Sequence, residues 1–461
     1  MKLFKIKWSF LRLIASALAF AASVELLADN SAPKVSPNIV FILADDLGWG
    51  DLSCHGHPDF KTPNIDRLAS EGIDIRQFSV PGPICSPSRA GILNGHFPAR
   101  FGILYPFEMA RNIAIGQPDW LDPQPLTLPR HLQSLGFSTA ICGKWHLVEE
   151  RAQVMDDAPT PASYGFQTSD LMRGPWKSKI VPRQSFEAGV AYLIRAPKTP
   201  FFLQITSHEP HVPYIPSPEA LAANAKVDER SRPYAASVTD LDLGVGKIMA
   251  TLRELNLENS TMLIFSSDNG PARRKKDPKA PYGEYFNSGS SGGLRGFKGE
   301  LYEGGVRTPL IVRWPGQVPA GKIDNTSAIN GVDLLPTLAA ASNSAMPTDW
   351  TGDGVNRLSV LKGEASVRSK PIFWRTYEQE AVRDGDWKLL RDRKKGQVEL
   401  YDLAKDPNES SDIAKTHSEQ ASRLTELLQT WTKTLPLLID PACCSKARKA
   451  PKAPLTPVAE D

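Results

Sequence analysis

Apolar runs of strand length alternate with amphipathic stretches of helix length through most of the chain. That alternation predicts an α/β fold with a large, mostly parallel sheet flanked by helices. A polar stretch rich in Gly, Pro and Thr between Met346 and Lys370 interrupts it. Short strand-like runs and one helical segment follow, predicting a smaller C-terminal antiparallel sheet with a packed helix. A chain of 461 residues can house both units, because single cores seldom grow far past about 300 residues.

Met1 to Lys7 carries three lysines, an apolar stretch follows from Trp8 to Ala22, and small residues offer cleavage points near Ala19 or Ala28. This is the pattern of an export signal over residues 1–28, and it predicts a periplasmic or secreted protein. The apolar run is shorter than the roughly 20 residues a span requires and Arg12 interrupts it, so no stable membrane anchor is expected. Asn38 to Ala44 reads as a buried strand. Thr62-Pro63 opens a helix with Thr62 as N-cap and Gly72 as its stop. Further strands are expected at Ser138 to Cys142, Phe201 to Thr206, Thr261 to Ser266 and Pro309 to Arg313, with the longest helix from Tyr234 to Leu257. Together they make an N-terminal domain over residues 35–345.

Residues 370–440 form the expected C-terminal α+β subdomain. Its strands fall within Pro371 to Arg375, Ala381 to Arg391 and Val398 to Leu403, with a turn at Asp384-Gly385 and a helix from Glu419 to Thr432. Residues 441–461, rich in Lys, Ala and Pro, read as a mobile tail. Ala272 to Gly293, containing Arg273-Arg274-Lys275-Lys276, reads as a long flexible loop. Basic and acidic residues nearly cancel, 54 against 51, so no global field argues for nucleic acid or a membrane surface. Export permits bridges among Cys54, Cys142, Cys443 and Cys444, but spacing does not assign them.

Five separated segments place ionisable or amide residues at the ends of apolar runs, where open α/β sheets carry their ligand sites. Asp45-Asp46 closes the first strand. Two adjacent carboxylates repel unless a cation compensates them, and hard oxygens suit calcium or magnesium, although an isolated Asp-Asp is more often a solvated turn. Asp268-Asn269 would add oxygens. Lys144 and His146 sit two apart after the strand at Ile141, and His208 and His211 flank Glu209-Pro210. The spacing of the histidine pair does not match His-Glu-x-x-His, which argues against zinc. Lys298 and Arg307 lie in a Gly-rich loop that admits a ligand close to the backbone. Cys85 precedes an apolar helical run through Leu93, a helix N-terminus that favours an anion.

Cys85-Ser86-Pro87-Ser88-Arg89 resembles the Cys-x-Pro-x-Arg signature of type I sulfatases. Asn38 to Gly48, Gly143 to His146, His208 to Pro213, Ser267 to Gly270 and Leu294 to Pro309 are similar to that family's other motifs, in its order, across roughly Val35 to Pro315. The resemblance is to the formylglycine-dependent, arylsulfatase-like branch of the alkaline phosphatase superfamily. It implies an alkaline-phosphatase-like fold and a sulfuric ester hydrolase. In the family the cysteine is oxidised to formylglycine (3-oxoalanine) by a formylglycine-generating or anaerobic sulfatase-maturating enzyme, and the aldehyde hydrate is the nucleophile.

Carried onto this chain, Asp45, Asp46, Asp268 and Asn269 would hold a divalent cation together with the modified Cys85, calcium in most of the family and magnesium as the alternative. Arg89 would steady the hydrate. Lys144, Lys298 and His211 would bind sulfate and protonate the departing oxygen, His146 would assist sulfate release, and His208 is a further sulfate-binding candidate. After Lys144-Trp145-His146-Leu147, Val148-Glu149-Glu150-Arg151 stands where many relatives carry glycine, which bears on pocket shape. Export, the basic loop at Arg273 to Lys276, and Trp49, Tyr105 and Trp176 suggest a sulfated carbohydrate substrate, although each aromatic singly is explained by packing. A phosphate or phosphonate ester hydrolase of the same superfamily and a catalytically silent polysaccharide-binding protein are the competing readings.

Overall fold

The computed structural model describes residues 36–148, 157–172, 181–195, 199–273 and 286–448. The export segment, Glu149 to Arg151, Trp176, the run Arg274 to Lys276 and residues 449–461 lie outside the described residues. Every element below belongs to the unit that begins at Pro37.

Its first strands are β1 (Asn38–Ala44), β2 (Ile73–Ile75), β3 (Phe78–Ser79), β4 (Ser138–Gly143), β5 (Thr168–Leu171), β6 (Phe201–Thr206), β7 (Thr261–Ser267), β8 (Leu310–Arg313) and β9 (Lys322–Asp324). Apart from β3, they join one sheet in the order β5-β4-β6-β1-β7-β8-β2-β9. β1 runs parallel to β6 on one side, Ile39 opposite Phe202, and to β7 on the other, Ile39 opposite Met262. β4 continues the parallel set beyond β6. Only β8 opposes its neighbours, so the sheet is mostly parallel, as expected.

Both faces of β1 are covered, which is why Ile39 to Ala44 reads as an unbroken apolar run. Its side chains still alternate between two cores. Ile39, Phe41 and Leu43 join Phe97, Ile141 and Leu335, while Val40, Ile42 and Ala44 join Phe186, Val245 and Ile248. The long helix runs from Arg232 to Glu254, two residues earlier than expected, because Pro233 belongs to its first turn. It packs against the helix Gln184–Ile194, where a Cβ at Gly244 would stand 2.3 Å from the Phe186 ring. Only glycine permits that approach.

Past the polar break, β11 (Ile372–Arg375), β12 (Gln379–Asp384), β13 (Trp387–Asp392) and β14 (Val398–Asp402) pair antiparallel in chain order, after the short β10 (Ile329–Asn330) that pairs with β3. Asp384 faces Trp387 across the two-residue turn Gly385-Asp386, with Gly385 at φ 60°. The helix Ser418–Thr432 buries Ala421, Leu424, Leu428 and Trp431, the spacing of a single apolar stripe. Trp431 stacks on Phe373 with centroids 4.8 Å apart.

Residues 441–448, the described part of the stretch read as a tail, are hydrogen-bonded to the body of the chain. The backbone N–H of Ser445 donates to Asp119 at 3.0 Å, that of Lys446 to Asp157 at 2.7 Å, and Arg448 reaches the Gln117 carbonyl at 2.7 Å. Composition did not reveal the carboxylates that receive these groups. The expected loop from Ala272 is likewise docked at its far end, since Ser290 exchanges backbone and side-chain bonds with Gly50 and Asp51. All five cysteines are free thiols.

A buried ion cluster joins the small sheet to the large one. Lys388 of β13, fully buried, contacts Glu303 at 2.8 Å and Glu409 at 2.9 Å, and Arg307 donates to Glu303 at 2.6 Å. Breaking a buried ion pair from one side costs about 3–5 kcal/mol, because the partner charge is stranded. Lys388→Met is therefore expected to lower the unfolding free energy by that order in urea titrations, whereas a loss below about 1 kcal/mol would show the two sheets to be held by apolar packing alone. His131 offers a second check. It is 5 % exposed, Nε2 has no partner, and burial holds its pKa down. The fold accepts only neutral imidazole, so this contribution is complete above the unfolded pKa near 6.5 and is lost as pH falls through the lower folded value. His131→Gln should flatten the fall in melting temperature between about pH 7.5 and 5.

Candidate active site

Four adjacent strand ends and one helix N-terminus deliver the sequence-predicted residues to one place. In sheet order, β4 leads into Lys144 and His146, β6 into His208 and His211, β1 into Asp45-Asp46 and β7 into Asp268-Asn269. Cys85 is the first residue of the fully buried helix Cys85–Asn94, whose left-handed Gly95 closes it at φ 71°. Lys298 arrives from the Gly-rich loop. That loop lies tight on β7: Gly270 donates to the Gly305 carbonyl at 3.0 Å, and a Cβ at Gly270 would strike the Gly304 carbonyl oxygen at 2.0 Å.

Asp45 has no exposed surface and accepts from Lys144 Nζ at 2.6 Å, with Cys85 Sγ 3.6 Å from its other oxygen. Lys144 Nζ is also 3.7 Å from Cys85 Sγ. Arg89 grips Asp268 Oδ2 through Nε at 2.8 Å and Nη2 at 2.7 Å, while Nη1 donates to the Lys144 carbonyl at 3.2 Å. Asp46, at φ 64°, accepts from Lys298 at 2.5 Å and from Asn269 Nδ2 at 2.7 Å. Three carboxylates thus meet three cations in a space almost closed to water.

The charge pattern follows from that closeness. Burial raises the pKa of Asp45, but Lys144, His211, Arg89 and Lys298 outweigh it and hold the carboxyl well below its usual range. Asp268 goes the other way, pushed up to about 6 by burial and the Asp45 charge. Burial pushes the Cys85 thiol up to about 12, so the unmodified side chain is protonated at neutral pH and a poor nucleophile. His211 falls to about 4, chiefly through burial. Its Nδ1 donates to the Val212 carbonyl, so in the neutral ring Nε2, 3.7 Å from Asp46, carries a lone pair. His146 is held well below the imidazole range by burial, Lys144 and Arg89, and its buried Nδ1 has no partner among the described residues. His208 sits 5.5 Å from His211 ring to ring, with Nε2 3.3 Å from the Pro213 carbonyl.

The donor set fits a hard divalent cation. Ligand atoms of Asp45, Asp46, Cys85 and His211 lie within 4.8 Å of one another. Asn269 spends its amide N–H groups on Asp46 and the Gly270 carbonyl, leaving Oδ1 buried without a partner among the described residues. An orphaned acceptor beside clustered carboxylates is what calcium or magnesium would satisfy.

Beside the centre opens a cavity of about 710 Å³ whose lining includes Ile84, Tyr105, Arg111, Lys298, Tyr377 and Lys394. Tyr105 was singled out from sequence; Arg111, Tyr377 and Lys394 were not, because they come from a helix and two loops of the C-terminal sheet with no motif around them. Trp49, the other aromatic proposed for stacking, is occupied by packing: its ring lies 4.4 Å from His55 with Arg76 over it at 5.4 Å.

The family described as Sulfatase matches residues 37–344. The chain belongs to the sulfatases. It is a sulfuric ester hydrolase of the type I group within the alkaline phosphatase superfamily. The family described as N-sulphoglucosamine sulphohydrolase, C-terminal, matches residues 297–434. The chain is 33 % identical to arylsulfatase A of Homo sapiens over 409 residues, covering 78 % of this chain and 76 % of that protein. It is 26 % identical to the N-acetylgalactosamine-6-O-sulfatase of Bacteroides thetaiotaomicron, covering 90 % of this chain and 96 % of the relative. Among solved structures, Ps i-CgsB in complex with k-i-k-neocarrahexaose superposes with a TM-score of 0.74 at 24 % identity, over 88 % of this chain and 95 % of the other.

Proposed function

We propose that this sulfatase is exported and hydrolyses a sulfate ester on a sulfated carbohydrate, using a formylglycine made from Cys85 and a bound divalent cation, calcium with magnesium as the alternative. The observation that carries this reading is Cys85 at a helix N-terminus, 3.6 Å from Asp45 and 3.7 Å from Lys144, inside a closed ring of carboxylates and cations. Formylglycine, hydrated, supplies one hydroxyl to attack sulfur and a second to let sulfate go. The cation supplies Lewis-acid stabilisation of charge on the sulfate.

The remaining work falls to this chain's side chains. Arg89, fixed by Asp268, orients oxygen on residue 85. Lys144 and Lys298 receive sulfate oxygens. With three carboxylates and three cations already balanced, a divalent ion leaves surplus positive charge suited to a sulfate ester. That anion raises the pKa of His211, whose Nε2 then carries a proton to the departing sugar oxygen. His146, neutral and unpartnered at Nδ1, accepts the proton lost when sulfate is released. His208 contributes a further contact to the sulfate.

Residues 35–345 are read as the catalytic domain, in keeping with the matched range 37–344, and 370–440 as the C-terminal subdomain. The names of the relatives support a carbohydrate substrate, and the first 28 residues support export. Cys85 is 2 % exposed, so its conversion by a formylglycine-generating or anaerobic sulfatase-maturating enzyme must come before or during folding.

Sulfate release from defined sulfated oligosaccharides tests the activity. Cys85→Ala and Cys85→Ser should each lower turnover by about 10³-fold or more, and protein made without the maturation enzyme should be equally poor. Full activity in Cys85→Ala would end the mechanism. The cation is tested by melting EGTA-treated protein in calcium or magnesium. Ligand at about 100 times its Kd adds about 2.7 kcal/mol of stability. Asn269→Ala should reduce that gain, and an unchanged melting temperature with either ion would overturn the assignment.

A further inference from the structure

Arg111, on the helix Met109–Ile115, lines the same cavity as Lys298, yet its guanidinium makes no hydrogen bond or ion pair among the described residues. Among the described residues it makes a cation–π stack on Tyr105, with the guanidinium carbon 4.1 Å from the ring centroid. Stacking satisfies the flat face and leaves the N–H edges free. Of the other cations of this wall, Lys298 is committed to Asp46 and Arg273 to Glu300, while Lys394 stands exposed on the C-terminal side of the cavity.

The platform under Arg111 is built stiffly. Gln117, fully buried, accepts from the backbone N–H groups of Leu104 and Tyr105 at 2.9 and 2.8 Å and returns a bond to the Tyr105 carbonyl at 2.8 Å. Its amide also reaches Asn112, the residue after Arg111, which donates to Asp119 at 3.2 Å. From the C-terminal subdomain, Tyr377 donates to the Ile115 carbonyl at 2.9 Å and ties the end of the helix. A rigid mount under an uncommitted, stacked guanidinium is preorganised for a bidentate oxyanion.

Resting on the sulfatase reading above, we propose that Arg111 is a specificity-determining residue that binds a second anionic group of the substrate, carried by the same sugar as the scissile ester or by its neighbour. The preferred substrate is thus a polyanionic glycan, and the second group is a carboxylate of a uronic acid or another sulfate. Either presents two oxygens to the guanidinium fork.

The test compares wild type with Arg111→Ala and Arg111→Lys on three substrates: an aryl sulfate, a disaccharide with one sulfate and one uronate, and a disaccharide with two sulfates. The ratio of kcat/KM on a doubly anionic substrate to that on the aryl sulfate should fall about 10- to 100-fold in Arg111→Ala, chiefly through KM. Arg111→Lys should recover only part of it. The disaccharide that loses more identifies the second group. Equal losses on all three substrates, or none, would overturn the proposal. Binding of the same disaccharides to Cys85→Ala and to Cys85→Ala with Arg111→Ala needs no turnover. A weakening of about 10-fold or more upholds the role of Arg111 and equal affinities reject it, even if no sulfate release were found, an outcome that would count against the hydrolase reading alone.

Discussion

Asp45, Asp46 and Asp268 are buried within reach of one another, and that concentration of negative charge is the constraint on which the rest of the structure depends. Alone, such carboxylates would take up protons or unfold the edge of the sheet. Lys144, Arg89 and Lys298 prevent it, each reaching the cluster from a different segment. Because compensation comes from separate pieces of chain, the ring forms only when the fold is complete. The same charges hold one another in position and prepare the space for an incoming anion.

Each supporting device can be traced to that requirement. Parallel strands release their carboxyl ends at one edge, so four adjacent strands bring polar residues together while their apolar runs stay in the core. The helix at Cys85 approaches with its N-terminus, where unpaired N–H groups favour negative charge. The loop carrying Lys298 lies against the end of β7 and has a second anchor. It is fixed through Glu303, five residues on, to Lys388 of β13, and the small sheet is fixed in turn where the Trp374 indole donates to the Val80 carbonyl at 2.7 Å. The C-terminal subdomain is therefore a brace for the catalytic loops.

What could be read from sequence follows the same physics. The central strands were legible because full burial demands continuous apolar runs, and Asp45-Asp46 was conspicuous because paired acids after such a run are costly. β2 and β9 were not, being three residues long at the sheet margin with Asp74 in the middle of β2. Lys298 looks like any basic loop residue until the fold brings it beside Asp46, so the family resemblance was needed to select it. Arg111 and Tyr377 had no local signal at all. Both line one cavity because Tyr377 ties down the helix of Arg111 at the Ile115 carbonyl, 262 positions of chain away, a juxtaposition that neither periodicity nor motif encodes. The bonds of residues 441–448 were hidden for a related reason: Lys, Ala and Pro describe the segment, whereas Asp119 and Asp157 receive its backbone N–H groups.

Chemistry and selection are consequently separated in this molecule by how many commitments each residue carries. Replacing Arg89 would strand Asp268, loosen the Lys144 carbonyl and disturb residue 85 in one step. Arg111 and Lys394 sit on the cavity wall, face solvent, and hold little of the fold together. A change there costs the structure little while altering which ester can approach. Relatives named for different substrates, at 33 % and 26 % identity, are what such a division permits.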